Sequence, residues 1–188
     1  MAAIAVGVLT ASDKGSRGER KDESGPLIRE LVRRIGGEVK RYEILPDQKE
    51  ALADKLRAWA DQDRLDLIFT TGGTGFSPRD FTPEATLAVC DRLAPGIAEA
   101  IRAEGLKKTP RAMLSRAVAG IRGRTLIINL PGSVKGVRES LEAILPALPH
   151  AVEVLRGEAR DCGHEVKAQS RRQSGRAGRG RQRKGDRP

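Results

Sequence analysis

Two periodicities alternate along the chain. Continuous apolar runs at Ile4–Thr10, Leu67–Thr71 and Thr125–Leu130 have the pattern of strands buried on both faces of a parallel sheet. Val39–Leu45 reads as a further strand and ends at Pro46-Asp47. Between the runs, apolar residues recur at helical spacing. Leu27, Ile28, Leu31, Val32 and Ile35 share one face from Pro26 to a Gly36-Gly37 stop, and Leu52, Leu56, Trp59 and Ala60 share another. Asp47 stands where it would cap that second helix, with Glu50 at capping-box spacing. Thr82-Pro83-Glu84 predicts a helix with Thr as N-cap and Pro at its first position, reaching about Asp91. Another runs from Pro95 through Ile97, Ala98 and Ile101 to Gly105. Residues 106–116 read as loop with at most one helical turn. Ala117–Ile121 and Thr125–Leu130 predict a hairpin through Gly123. Ser133 can cap a helix with Val137, Leu141, Ile144 and Leu145 inward, broken at Pro146, and residues 147–156 continue as a final helical segment.

Strands alternating with helices predict an α/β fold: a mostly parallel central sheet with helices on both faces. In such sheets ligands bind beyond the carboxyl ends of the strands. Asp13, Asp47, the 72–80 segment and Gly132-Ser133 each follow a predicted strand, so four separate loops are expected on one rim.

Composition narrows the picture. At 188 residues the chain suits one ordinary domain. Its net charge of +10 is concentrated at the end: residues 166–188 hold nine Lys or Arg against one Asp, leaving +2 for residues 1–165. We expect a domain over residues 1–165 and a disordered basic tail over 166–188, where apolar periodicity vanishes. Met1–Thr10 has no basic leader and is too short for a bilayer span, and no later run reaches that length. Cys90 and Cys162 lack CxxC spacing, so neither a disulfide framework nor a zinc site is indicated. Cytoplasmic localisation is expected.

The candidate chemistry centres on Gly72-Gly73-Thr74-Gly75. Three glycines in four positions permit positive φ and leave N–H groups uncovered, which suits phosphate oxygens. A tight strand-to-helix turn explains the same residues. The segment is neither a P-loop nor the dinucleotide fingerprint, since no Gly-Lys-Ser/Thr and no third spaced glycine follow. Taken singly, Asp47 as a helix cap, Asp13 in an Asx-turn, Asp80 as a surface acid and Ser133 as a cap all have bland explanations. Lys14, Arg17, Arg79 and Lys135 read as surface charges. Their convergence on one rim gives them weight together.

SDKGSRGERKDESGP from Ser12, Pro46-Asp47, TTGGTGFSPRDFTPEAT at 70–86, LSRAVAG at 114–120 and LPGSVKG at 130–136 together resemble the molybdopterin adenylyltransferases. These are the MogA-type enzymes of molybdenum cofactor biosynthesis, related to MoaB proteins and to domains of gephyrin. The resemblance covers about residues 3–160. It implies a homotrimer that transfers AMP from ATP to the terminal phosphate of molybdopterin with Mg²⁺. It also implies Asp47 and Asp80 as the essential acidic pair and candidate metal ligands. Positions matching Ser12, Asp13, Gly72, Gly73, Thr74, Gly75, Ser115, Pro131, Gly132 and Ser133 would line the nucleotide and pterin pockets. Lys14, Arg79 or Lys135 would offset phosphate charge. Val134 replaces a frequent Pro and Phe81 a frequent Val.

A non-catalytic pterin-binding or scaffold module, as gephyrin-like domains also serve, is the alternative. A molybdate-inserting enzyme is a candidate partner. Nucleic-acid binding by the tail is disfavoured, since that segment has no aromatic residue for base stacking.

Overall fold

Residues 3–159 are described by the computed structural model, and the six strands and seven α-helices lie within Met1–Gly157. The strands are β1 (Ile4–Ala11), β2 (Gly37–Leu45), β3 (Leu67–Thr71), β4 (Arg92–Leu93), β5 (Ala119–Arg122) and β6 (Thr125–Leu130). They form one sheet in the order β2-β1-β3-β6-β5-β4. β1, β2, β3 and β6 are mutually parallel, whereas β5 runs antiparallel to β6 and to β4. The mostly parallel sheet expected from the apolar runs is present. The basic tail, Cys162 and the domain boundary at residue 165 lie outside the described residues.

The helices are α1 (Asp13–Ser16), α2 (Ser24–Val32), α3 (Lys49–Asp61), α4 (Thr82–Leu87), α5 (Pro95–Leu106), α6 (Val134–Ile144) and α7 (Leu148–Arg156). Side-chain alternation on the strands sorts them into two layers. Leu67 and Phe69 of β3 join Leu126 and Ile128 of β6 in a core with residues of α2, α5, α6 and α7. Ile68 and Ile127, one residue out of phase, pack with Leu52, Leu56 and Trp59 of α3 and with Ala85 of α4. Each of the six strand residues is at most 1% exposed. Burial of side chains this size stabilises by about 1.5–3 kcal/mol apiece.

Several local expectations are corrected. Asp13–Ser16, read as loop, is a single helical turn closed by Ser12 Oγ, which accepts from the Gly15 N–H at 3.0 Å. α2 begins at Ser24 rather than Pro26, because Asp22 Oδ1 accepts from the Ser24 and Gly25 N–H groups and satisfies the helix start. Asp47 does not cap α3. Gln48 occupies that position without a side-chain cap, and the Asp47 carboxylate is engaged elsewhere. Phe81, not Thr82, holds the N-cap position of α4, which stops at Leu87 so that Arg92–Leu93 can add a short strand beside β5. That strand is exposed and carries no alternating pattern. In 106–116 the single turn expected is a 3₁₀ turn at Pro110–Leu114. Ser133 caps α6 as expected, accepting from the Gly136 N–H at 3.2 Å.

Candidate active site

Because β1, β2, β3 and β6 are parallel, the loops after them emerge on one edge. They enclose a pocket of about 440 Å³. Ser12, Asp47, Gly72, Gly73, Asp80, Gly132 and Ser133 line it, together with Arg20, Lys21, Asp22 and Ser24 from the segment before α2 and its first residue. A second pocket of about 320 Å³ lies on the other side of the glycine turn, lined by Thr74, Gly75, Ser115, Pro131 and again Ser133. Of the sequence-predicted site positions, Asp13 and the cations Lys14, Arg79 and Lys135 line neither pocket and the others line one of the two, and the glycine turn with the 131–133 segment forms the wall they share.

The glycines are needed for conformation and for close approach. Gly72 has φ +92° and Gly73 φ +63°. A Cβ on Gly72 would stand 2.4 Å from the Ala11 carbonyl oxygen. On Gly73 it would stand 2.4 Å from Thr82 Oγ1 and 3.1 Å from Asp47 Oδ1. The Gly72 N–H donates to the Leu130 carbonyl at 3.3 Å. Among the described residues the N–H groups of Gly73, Thr74 and Gly75 make no hydrogen bond. Three main-chain donors without a protein partner therefore remain at the turn, an arrangement suited to anionic oxygens.

Asp13 and Asp47 are joined by a reciprocal pair of bonds. The Asp13 N–H donates to Asp47 Oδ2 at 3.0 Å, and the Asp47 N–H donates to Asp13 Oδ1 at 3.1 Å. Asp13 Oδ2 accepts from Arg79 Nε at 2.7 Å, and that guanidinium holds the Asp13 carboxyl below the usual carboxylate range. Asp47 moves the other way. Burial raises it most, repulsion from Asp13 and Asp80 adds to this, and the Asp13 N–H and Arg79 oppose it. Asp80 is held by its own turn, with Oδ2 accepting from the Ser77 N–H at 3.0 Å.

The donor set suits Mg²⁺ bound with a nucleotide. Among the described residues no group of three or more His, Cys, Asp or Glu forms a metal cluster. Mg²⁺ is usually held by one or two carboxylates with phosphate oxygens and water. Asp47 and Asp80 line the same pocket, and Thr82 Oγ1, buried without a hydrogen-bond partner, faces the Gly73 Cα on the side of Asp47 Oδ1. The two pocket carboxylates are the ligands that a hydrated cation carried on phosphate oxygens would meet.

Residues 7–150 match the family model described as "Probable molybdopterin binding domain". The chain belongs to this molybdopterin-binding domain family. A molybdopterin adenylyltransferase of Helicobacter pylori is 45% identical over 159 residues, covering 84% of this chain and 90% of the relative. Gephyrin of Dictyostelium discoideum is 45% identical over 160 residues, which is 80% of this chain but 22% of gephyrin. Among solved structures, the molybdopterin biosynthesis enzyme MoaB of Thermus thermophilus is 58% identical with a TM-score of 0.77, covering 82% of this chain and 97% of that one.

Some residues of this molybdopterin-binding domain that shape the site carried no clear sequence signal. Asp22 binds Thr10 Oγ1 at 2.6 Å and Tyr42 Oη at 2.8 Å through Oδ2 while it caps α2 through Oδ1. Burial first, then this bond, pushes the Tyr42 hydroxyl up to about 12. The cations expected to offset phosphate charge, Lys14, Arg79 and Lys135, do not line the pocket, and Arg17 is the surface charge it was read as. Arg17 pairs with Glu19 and Arg79 with Asp13. Arg20 and Lys21 do line it, and neither meets a carboxylate among the described residues. A basic dipeptide inside SDKGSRGERKDESGP was the available signal.

Proposed function

We propose that the chain is a molybdopterin adenylyltransferase of molybdenum cofactor biosynthesis: it transfers AMP from ATP to the terminal phosphate of molybdopterin and releases pyrophosphate. The observation that carries this reading is the pair of pockets sharing the glycine wall, with Asp47 and Asp80 on one side of it. Two polyanionic substrates must meet with their phosphates in line, and two cavities meeting at uncovered N–H donors provide for that. The family relationship and the relatives' names support the same reaction.

The attacking group is a phosphate oxygen. Phosphate monoesters lose their second proton near about pH 6, so at neutral pH no general base is required. The new bond joins that oxygen to the α-phosphorus, and the bond from the α-phosphorus to the bridging oxygen of pyrophosphate breaks. The obstacle is repulsion. Two unit charges 4 Å apart repel by about 4 kcal/mol at an effective dielectric of 20, and each substrate carries more than one. Alignment and charge stabilisation therefore supply the catalysis. Asp47 and Asp80 would hold Mg²⁺, which when bound neutralises phosphate charge. The N–H groups of Gly73, Thr74 and Gly75 donate to phosphate oxygens. Arg20 and Lys21 attract the anion, and Ser12 and Ser133 keep the adjoining helix starts in place through their capping bonds. Ser115 and Pro131 shape the second pocket. Asp13 holds Asp47 and Arg79 in register.

Assembly as a homotrimer and hand-over of product to a molybdate-inserting enzyme are part of this proposal, as is a cytoplasmic location; the structure contains no described helix long and apolar enough to cross a membrane. Incubation with Mg-ATP and molybdopterin tests the reaction. Adenylylated pterin and stoichiometric pyrophosphate are expected. Tight pterin binding without AMP transfer would favour a binding module instead.

A further inference from the structure

Arg116 is used by no step above, yet its side chain ties together both ends of the loop that carries Asp80. It lies between the 3₁₀ turn at Pro110–Leu114 and β5. Its main-chain N–H donates to the Thr74 carbonyl at 2.9 Å. Its side-chain Nε donates to the Gly75 carbonyl at 2.7 Å, Nη2 to the Asp80 carbonyl, and Nη1 to the carboxylate of Glu84 in α4. One planar guanidinium thus reaches both ends of the 75–80 turn and the helix that follows it. The turn's other bonds are local or exposed: the Asp80 N–H donates to Ser77 O at 2.9 Å, the Ser77 N–H donates to Asp80 Oδ2, and Arg79 reaches Asp13 from a side chain that is 62% exposed.

We infer that Arg116 is a positioning residue that sets the Asp80 carboxylate against the glycine donors by clamping the Gly75 and Asp80 carbonyls together. The inference rests on the adenylyl transfer proposed above. Its physical basis is geometric. A guanidinium presents donors in a fixed fork, so three acceptors bound to one group are held at set separations, whereas an ammonium on a flexible stem fixes none of them. Phosphoryl chemistry driven by alignment is sensitive to such separations, and a misplacement of about 1 Å costs on the order of 10²-fold in rate. Arg116 does not line the pocket that holds Asp47 and Asp80, so it acts through Asp80 and not on the substrate.

The test compares wild type with Arg116→Lys and Arg116→Gln, measuring kcat, KM for ATP, the Mg²⁺ concentration for half-maximal rate, and the rise in melting temperature on adding Mg-ATP. Arg116→Lys retains the charge and loses the fork. The expected result is a kcat about 10²-fold lower, a KM for ATP within threefold of wild type, a higher Mg²⁺ requirement, and a smaller Mg-ATP stabilisation. Two results overturn the assignment. One is Arg116→Lys with kcat within threefold of wild type, because charge alone would then suffice. The other is a loss in both variants that only tracks the fraction of folded protein, because the role would then be general stability. A wild-type chain without AMP transfer removes the reaction itself and this role with it, whereas active wild type with unimpaired variants removes only the role of Arg116.

Discussion

Asp13 and Asp47, 34 residues apart in the chain, hold each other through their main chains, each N–H donating to the other's carboxylate at 3.0 and 3.1 Å. The exchange ties the loop after β1 to the loop after β2. It also leaves one oxygen of each acid for other work: Asp13 Oδ2 for Arg79, and Asp47 Oδ1 toward Gly73. Asp47 is therefore held in partial burial beside two other acids.

That arrangement makes a stability prediction with a definite sign. Burial first, and then Asp13 and Asp80, raise the Asp47 carboxyl above its ordinary value. The folded chain then binds this proton more tightly than the unfolded chain does. The resulting penalty is absent at pH values below the unfolded carboxyl's range, grows as pH rises through it, and is complete above the folded value. Asp47→Asn keeps an acceptor for the Asp13 N–H and its own N–H for Asp13. It should melt at or above wild type at about pH 7, the gap closing toward about pH 3, in paired calorimetry. A lower melting temperature for the variant at neutral pH would show that its lost bonds outweigh the buried charge.

The glycine wall should resist even one methyl group. Gly72→Ala places Cβ 2.4 Å from a main-chain oxygen and keeps a positive φ. A non-glycine residue there costs about 1–2 kcal/mol, and overcrowding adds about 1–3 kcal/mol. Urea unfolding should register a loss of at least about 2 kcal/mol. A smaller value would mean that the end of β1 at Ala11 yields freely.

Asn129 is 1% exposed in β6 and joins three elements. Its Nδ2 donates to Thr70 Oγ1 at 2.9 Å and to Thr86 Oγ1 at 2.8 Å, and its Oδ1 accepts from the Val118 N–H at 3.2 Å. Asn129→Leu strands those partners in the interior at about 1–3 kcal/mol each. Equilibrium unfolding should show a loss of roughly 3 kcal/mol or more, and a loss under about 1 kcal/mol would refute the network's importance.

Arg20 and Lys21 should act as electrostatic attractors for the triphosphate. Replacing both with Ala should raise KM for ATP roughly three- to tenfold at low salt, with the difference shrinking as ionic strength rises. An unchanged KM at low salt would assign the phosphate contacts to the glycine turn alone.

The parts of this architecture that were legible in the sequence are those with a local cause. The apolar runs gave β1, β3 and β6, since a strand buried on both faces must be apolar throughout. The parallel order followed, and with it the common edge for Asp47, Gly72 and Gly132. What was not legible depends on pairs created by folding. Asp47 looked like a helix cap because its neighbours in sequence permit one, but a main-chain N–H 34 residues away takes the carboxylate. Arg116 closes a basic loop whose pattern says nothing of its place in the site, and the acceptors of its side chain lie up to 41 residues off. Arg92–Leu93 escaped notice because a two-residue exposed strand has no period to read.

The rate of AMP transfer by Asp80→Asn, at saturating Mg-ATP and molybdopterin, tests the assignment of the pocket most directly. The substitution keeps the size of the side chain and an acceptor for the Ser77 N–H, and removes the charge that would hold the cation against the phosphates. The rate should fall by about 10²–10³-fold or more while the fold and melting temperature are preserved. A variant that transfers AMP within threefold of wild type would contradict the claim that Asp80 serves the reaction.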